Sequence, residues 1–249
     1  MNDLGHEKKN NLIFERYEIK YLLTYDVYIK LLQKINHLLI PDKYGPTLIR
    51  SIYYDTDDYL LIRRSIEKGI YKEKLRVRTY GNKTNNEKVF LEIKKKYMGK
   101  VYKRRISSSI EDVKRLVNGN CLSLEDEGVN EQIKKEIIAF CNHYKNLKPK
   151  VMIMYERDAY YEKGTNLRIT FDKNISYRST DLNFNNINPG INIINNNLVL
   201  MEIKANYSFP LWLVKILSEM KIYKTSFSKY GLAYKKIVKE KNQECLMNV

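Results

Sequence analysis

One tripeptide occurs three times, as Glu18-Ile19-Lys20, Glu92-Ile93-Lys94 and Glu202-Ile203-Lys204. In an extended chain, residues two apart share a face. Each copy therefore projects an acid and a base side by side and hides an isoleucine behind them. The third copy ends the run Leu198–Lys204, whose other face is Val199, Met201 and Ile203. Further cations follow the same alternation. Lys74, Arg76, Arg78 and Tyr80 share a face against Leu75 and Val77; Lys103 pairs with Arg105; Arg168, Thr170 and Asp172 stand against Leu167, Ile169 and Phe171. Two arginines at i and i+2 repel each other unless an anion lies between them. A guanidinium meets phosphate oxygens bidentately.

The whole chain leans the same way. Its 249 residues carry a formal net charge of +16 with a pI near 9.5, which points to a polyanion: nucleic acid, an acidic membrane surface or phosphate-rich small molecules. Few stacking aromatics accompany the bases, which speaks against a specific nucleic-acid partner. Cys121, Cys141 and Cys245 have no zinc-ligand spacing, so a reducing, cytoplasmic setting is expected. His6, His37 and His143 do not cluster with acids or cysteines, and no Ser/His/Asp or Cys/His nucleophile pattern exists. There is no Gly-x-x-x-x-Gly-Lys-Ser/Thr loop. No apolar run is long enough to span a bilayer, so any membrane link would come through a partner.

The elements that position these groups can be read from period and punctuation. Strands are expected over Glu15–Leu23, Leu48–Tyr54, Lys74–Tyr80, Val89–Lys96 and Val101–Ser107, the last three as a meander turning at Gly81-Asn82 and Gly99. Val151–Tyr160 and Asn166–Asp172 form a hairpin around Gly164. Thr24 caps a helix running to about Leu39, ahead of Pro41. Further helices are expected over about Tyr59–Ser65, from Ser108 or Ser109 to near Gly119, over Asn130–Tyr144, and from Ser208-x-Pro210 to Met220. Asn183–Asn197 is a loop with a little strand. Ser226-Phe-Ser-Lys229-Tyr-Gly231 is a loop before a basic terminal helix.

These elements make an α+β chain, strands dominating, with one domain over 15–240. Residues 1–14 are a disordered polar N-terminus and 241–249 a tail, and the only soft boundary candidate is Gly119–Asn130. The apolar strand faces need cover from amphipathic helices packed outside. The charged faces then look at water or at one another. An open sheet is the plain alternative, but wet strand faces mix Ser, Thr and both signs of charge. Here cations dominate, and an antiparallel β-barrel tunnel would gather them around one axis. Empty, such a lumen repels itself; filled by a phosphate chain, it is neutralised.

An ordered set of motifs adds to this. Arg16-Tyr-Glu18-Ile-Lys20-Tyr21, Tyr53-Tyr54-Asp55-Thr56, Leu75-Arg76-Val-Arg78, Phe90-Leu-Glu92-Ile-Lys94, Tyr155-Glu-Arg157, Leu167-Arg168-Ile-Thr-Phe-Asp172, Met201-Glu202-Ile-Lys204 and Ser226-Phe-Ser-Lys229-Tyr-Gly231 occur in that order. The sequence resembles the VTC (vacuolar transporter chaperone) domain family, within the triphosphate tunnel metalloenzymes, from about Arg16 to Tyr234. The resemblance implies a tunnel that binds ATP and polyphosphate, and a metal-dependent phosphotransferase that moves the terminal phosphoryl group of ATP onto a growing polyphosphate chain. It implies phosphate-binding roles for Lys20, Arg76, Arg78, Lys94, Lys103, Arg157 and Arg168. Glu202 would hold a divalent metal, Mn2+ or Mg2+, and Lys229 would be the loop lysine near the transferred phosphate. Arg104 and Arg105 compete with Lys103 for its role.

The sequence departs from the wider pattern at Arg16, where many tunnel enzymes carry the first acid of Glu-x-Glu-x-Lys. That weakens a hydrolase or cyclase reading. Triphosphate hydrolysis on the same fold and a non-catalytic polyanion-binding module are the rivals. Phosphoryl transfer asks for positioning and charge neutralisation more than covalent chemistry. A hard divalent ion can bridge one carboxylate to phosphate. The plain reading of Glu202 is an ion pair with Lys204 or a nearby arginine. Glu18 and Glu92 are expected to orient neighbouring cations, and Asp172 is either a second metal ligand or a strand-end residue. Lys229, on sequence alone, would be a solvated loop lysine.

Overall fold

A computed structural model describes residues 16–247 other than 68, 82–87, 99, 119–128 and 207. The strands are β1 (Arg16–Thr24), β2 (Ile40–Pro41), β3 (Thr47–Asp55), β4 (Tyr71–Tyr80), β5 (Val89–Tyr97), β6 (Lys100–Ser108), β7 (Lys148–Tyr161), β8 (Arg168–Arg178), β9 (Ile191–Asn192), β10 (Leu198–Asn206) and β11 (Lys224–Thr225). The helices are α1 (Tyr25–Ile35), α2 (Leu60–Ile66), α3 (Ile110–Val117), α4 (Val129–Tyr144), α5 (Leu211–Glu219) and α6 (Lys229–Met247). The N-terminal segment 1–14, the Gly99 turn and nearly all of the Gly119–Asn130 boundary candidate lie outside the described residues.

All strands join one antiparallel sheet in the order β11-β1-β10-β8-β7-β3-β4-β5-β6, with β2 on β7 and β9 on β8. The ladder is a path with two ends, so it forms a curled half-barrel. Curvature does what a closing ladder would do. Lys94 on β5 lies 3.9 Å from Glu18 on β1, although β10, β8, β7, β3 and β4 stand between them in the sheet. Two register shifts, at Tyr53/Tyr54 against β7 and at Met154/Glu156 against β8, help bend the strands.

The alternation expected from sequence sorts the side chains. On the convex side, Leu75, Val77, Leu91 and Ile93 are buried with Val113 and Leu116 of α3 and Ile137 and Phe140 of α4. Tyr21, Ile169, Phe171, Met201 and Ile203 are buried with Leu31 and Ile35 of α1 and Leu213 and Leu217 of α5. Each deeply buried aliphatic or aromatic side chain here contributes about 1.5–3 kcal/mol. Ser109 caps α3 by accepting from the Asp112 N–H at 3.0 Å. α1 stops at Ile35, short of the expected Leu39: Leu39 is still buried in the same cluster, but from the connection between α1 and β2. The apolar spacing there tracked the core and not the helix.

Not every helix lies outside. Tyr230, Ala233 and Ile237 of α6 pack on the concave face against Tyr53, Val151, Ile153 and Tyr155. α6 therefore fills the end of the trough where β3 and β7 turn apolar side chains inward. The helix also starts two residues earlier than the expected loop end at Gly231, and it continues through the segment expected as a tail. Ser228 opens it, accepting from the Gly231 N–H through Oγ at 3.2 Å and from the Leu232 N–H through its carbonyl at 2.9 Å. A Cβ at Gly231 would crowd the capping Ser228 side chain, 3.2 Å from its Oγ. Glycine here serves close approach, not helix termination.

Candidate active site

The remaining end of the concave face is charged. Register places its members: Tyr53 opposite Arg76, Ser51 opposite Arg78, Arg76 opposite Glu92, Glu92 opposite Arg105, Lys94 opposite Lys103, Arg157 opposite Asp172, and Lys20 and Thr170 on either side of Glu202. Rigid ladder positions fix these groups better than loops would.

The inward carboxylates are held unequally. Glu92, 1 % exposed, accepts from Arg76 Nε at 2.7 Å and Arg105 Nε at 2.6 Å, and Lys103 Nζ lies 3.1 Å away. Burial would raise its pKa, but Arg76, Arg78, Lys103 and Arg105 hold it well below the carboxylate range. Asp172, fully buried, takes a fork from Arg157, Nε at 2.6 Å and Nη2 at 2.7 Å, and a short bond from Lys229 Nζ. Glu202 differs. Its neighbours are Lys229 at 3.4 Å, Lys204 at 3.5 Å, and Lys20 and Arg157 at 3.7 Å. It is ringed by four cations and bonded closely by none. Burial pushes its pKa up, and those cations pull it well below the usual value. Thr170 Oγ1, next to it across the ladder, is buried with no hydrogen-bond partner. Glu18 is likewise loosely held, by Lys20 at 3.7 Å and Lys94 at 3.9 Å.

The cations also differ. Lys229 sits in the first turn of α6 with one ammonium touching both Asp172 and Glu202, over the Tyr155 ring at 4.5 Å. Burial would lower its pKa, but the two carboxylates hold it up at about 12. Lys20 donates to the Phe227 carbonyl at 2.9 Å and Lys74 to Ser228 Oγ at 3.4 Å, so two wall lysines pin the turn that delivers Lys229. Among the described residues, Lys74 and Arg78 make no ion pair with a carboxylate. Arg78, buried, is held by Ser51 Oγ at 3.0 Å and Tyr155 Oη at 3.3 Å. Burial lowers the Lys74 ammonium to about 8, and Lys94, Lys20 and Arg76 add to it. Burial would raise the Tyr53 phenol, but Arg76, Arg78 and Lys74 bring it down to about 8. Arg76 also donates to Tyr53 Oη at 3.0 Å.

The structure thus gathers Lys20, Arg76, Arg78, Lys94, Lys103, Arg157, Glu202 and Lys229 on one concave face. It leaves Arg168 apart: 52 % exposed at the mouth, with Nη2 on Asp42 at 2.8 Å. It separates the three candidates of the basic run. Lys103 and Arg105 both face Glu92, while Arg104 turns outward to Glu136 at 3.2 Å. Glu92 is the cation-orienting residue expected, and Glu202 meets the ion-pair reading only at long range. The Arg16 side chain lies outside the described residues. Lys74, Lys204, Tyr53 and Tyr155 join the site without having been singled out for it. Lys74 and Lys204 carried a signal, since each shares a strand face with chosen residues; the tyrosines stood inside the quoted motifs, and Tyr155 shares a strand face with Arg157, but neither was given a role. No set of three or more His, Cys, Asp or Glu side chains able to hold a metal occurs among the described residues.

The VTC domain model matches residues 15–238. This chain belongs to the VTC domain family. No curated protein matches it. Solved structures similar to this VTC domain include a Bacillus halodurans protein assigned as an adenylate cyclase, at 15% identity and TM-score 0.49, covering 85% of this chain and 92% of that one. A Vibrio parahaemolyticus protein with the same assignment has 10% identity and TM-score 0.45, covering 89% and 98%. No helix among the described residues of the VTC domain is long and apolar enough to cross a membrane.

Proposed function

We propose that this VTC domain is a polyphosphate polymerase, which takes the terminal phosphoryl group of ATP and adds it to a polyphosphate chain lying in the basic trough. The observation that carries this reading is the inward face itself, where cations outnumber carboxylates and, among the described residues, Lys74 and Arg78 form no ion pair with a carboxylate. A row of buried, unmatched cations is costly unless an anion completes it. The spacing of strand positions suits an extended chain of phosphates.

In the transfer, a terminal oxygen of the chain attacks the γ-phosphorus of ATP. The bond from that phosphorus to the β-γ bridging oxygen breaks and ADP leaves. Such a reaction needs alignment and charge neutralisation. Arg76, Arg78, Lys20 and Lys94 orient phosphate oxygens from fixed strand positions. Lys229, presented by the Ser228 turn, neutralises charge on the transferred group. The donor set fits a divalent ion, Mn2+ or Mg2+: Glu202 has no close bond of its own, and the Thr170 hydroxyl beside it lacks a partner. Bound there, the ion would neutralise developing charge on phosphate oxygens, with Glu202 as its protein ligand and phosphate and water as the others.

Incubation of the purified protein with ATP and Mn2+, followed by a polyphosphate gel and ADP assay, tests this. Long chains and matching ADP are expected. Release of orthophosphate alone would make the domain a triphosphate hydrolase, and ATP binding without turnover would make it a polyanion-binding module.

A further inference from the structure

We propose that Lys229 is the resident cation of the Asp172–Glu202 pair, that it competes with a divalent ion for Glu202, and that metal therefore enters with phosphate and not before it. The inference rests on the reading of Glu202 as the metal ligand. It goes further by assigning Asp172 and Lys229 to the control of that ligand.

The geometry gives Lys229 two carboxylate partners at once: a short bond to Asp172 Oδ2 and a 3.4 Å contact with Glu202 Oε1. Asp172 is completely buried and Glu202 nearly so. Two buried carboxylates so close to one ammonium need a cation between them, because neither can be left unpaired cheaply. Arg157 bridges the same two acids from the other side, by its fork to Asp172 and at 3.7 Å to Glu202. Lys20 and Lys204 complete the ring. A divalent ion approaching Glu202 in the phosphate-free protein meets this whole positive shell. A 2+ ion and an ammonium a few ångströms apart repel each other even at an effective dielectric of about 20.

A phosphate chain changes the balance. Its oxygens give Lys229 and Lys20 other anions to bind and add negative charge beside Glu202, so the metal becomes welcome where it was repelled. Lys229 is the first residue of α6, and the turn before it is fixed by Lys20 on the Phe227 carbonyl, by Lys74 on Ser228 and by the Ser228 cap, so exchanging a carboxylate for a phosphate oxygen asks for a side-chain rotation and no movement of the turn.

The test is Mn2+ binding to full-length protein, followed by electron paramagnetic resonance, in the absence of nucleotide. Wild type is expected to bind weakly. Lys229→Met should bind at least about fivefold more tightly, because one competing charge is gone, and Glu202→Gln in the Lys229→Met background should abolish the gain. Should Lys229→Met not fold, Asp172→Asn is compared with Asp172→Asn/Lys229→Met, which keeps the pair's charge balance, and the same tightening is expected. Equal or weaker Mn2+ binding on loss of Lys229 overturns the competition, while Mn2+ bound in the presence of tripolyphosphate would leave the metal reading of Glu202 standing. No Mn2+ binding by any protein, with or without tripolyphosphate, overturns both.

Discussion

The Glu92 and Glu202 carboxylates began as the same tripeptide, and their environments separate them. Glu92 is saturated by two arginines and a lysine at 2.6–3.1 Å; Glu202 has four cations and nothing nearer than 3.4 Å. A saturated acid orients its partners, whereas a loosely held one is free to bind something else. Alternation made the faces legible in sequence. It could not say which acid meets which base, because that depends on register across strands far apart in the chain: Arg76, Glu92 and Arg105 come from three strands. We expect Glu202→Gln to lose metal-dependent turnover at ordinary Mn2+ while binding tripolyphosphate no more weakly than wild type, since it removes a negative charge from among four cations. Circular dichroism, turnover and calorimetry together check this, and full activity would contradict it. Lys74 and Tyr53 set a pH dependence. Both groups sit near 8 in the free protein. Below that pH Lys74 is charged and Tyr53 neutral, and phosphate affinity is at its full value. Each group favours the other's charged form, so as pH rises through 8 the pair sheds a proton, the site loses positive charge and affinity falls. Tripolyphosphate titrations at pH 7 and 9 are expected to differ about fivefold in Kd, because a bound anion favours the protonated pair by about 1 kcal/mol. Equal affinities would remove these two groups from the site.

At the scale of elements, the strands were readable and the role of α6 was not. Period-two alternation with apolar backs located β1, β4, β5, β6 and β10 within a few residues. The Ser226–Gly231 segment looked like a loop because serine and glycine are turn residues, yet Ser228 caps α6 and Gly231 leaves room for the capping side chain. What carries α6 into the trough is tertiary. Tyr230 stacks on Tyr53 with ring centroids 4.6 Å apart and donates to Asp55 Oδ2 at 2.9 Å. Asp55 in turn accepts from the Thr56, Leu61 and Ile62 N–H groups, so a single buried carboxylate caps α2 and anchors α6. Tyr230→Phe keeps the stack and loses the hydroxyl bond. Its expected cost is about 1–2 kcal/mol, a fall in Tm of roughly 2–8 °C for a chain of this size. Because the same contact seats Lys229, turnover should fall in proportion to the undocked fraction. A thermal melt indistinguishable from wild type would mean that Asp55 holds α2 alone.

At the scale of the molecule, an excess of positive charge is gathered on the inside of a curled sheet and partly exposed at its mouth. Composition pointed to a polyanion, which the proposed function takes up; the curl did not follow from composition, since it rests on strand order and two bulges. In the proposed function the trough would pair many cations with one chain of phosphates, so affinity should fall steeply with salt, by more than tenfold in Kd between about 50 and 300 mM NaCl. A flat salt response would place binding outside the trough. The most direct test of the account is calorimetric titration of tripolyphosphate into wild type and Arg78→Ala at one salt concentration. Arg78 is buried, faces inward and, among the described residues, makes no ion pair with a carboxylate, so its loss should cost about 1.5–3 kcal/mol of binding, at least tenfold in Kd, in a protein that still melts cooperatively. An unchanged Kd in folded Arg78→Ala would contradict the claim that the concave face is the phosphate site.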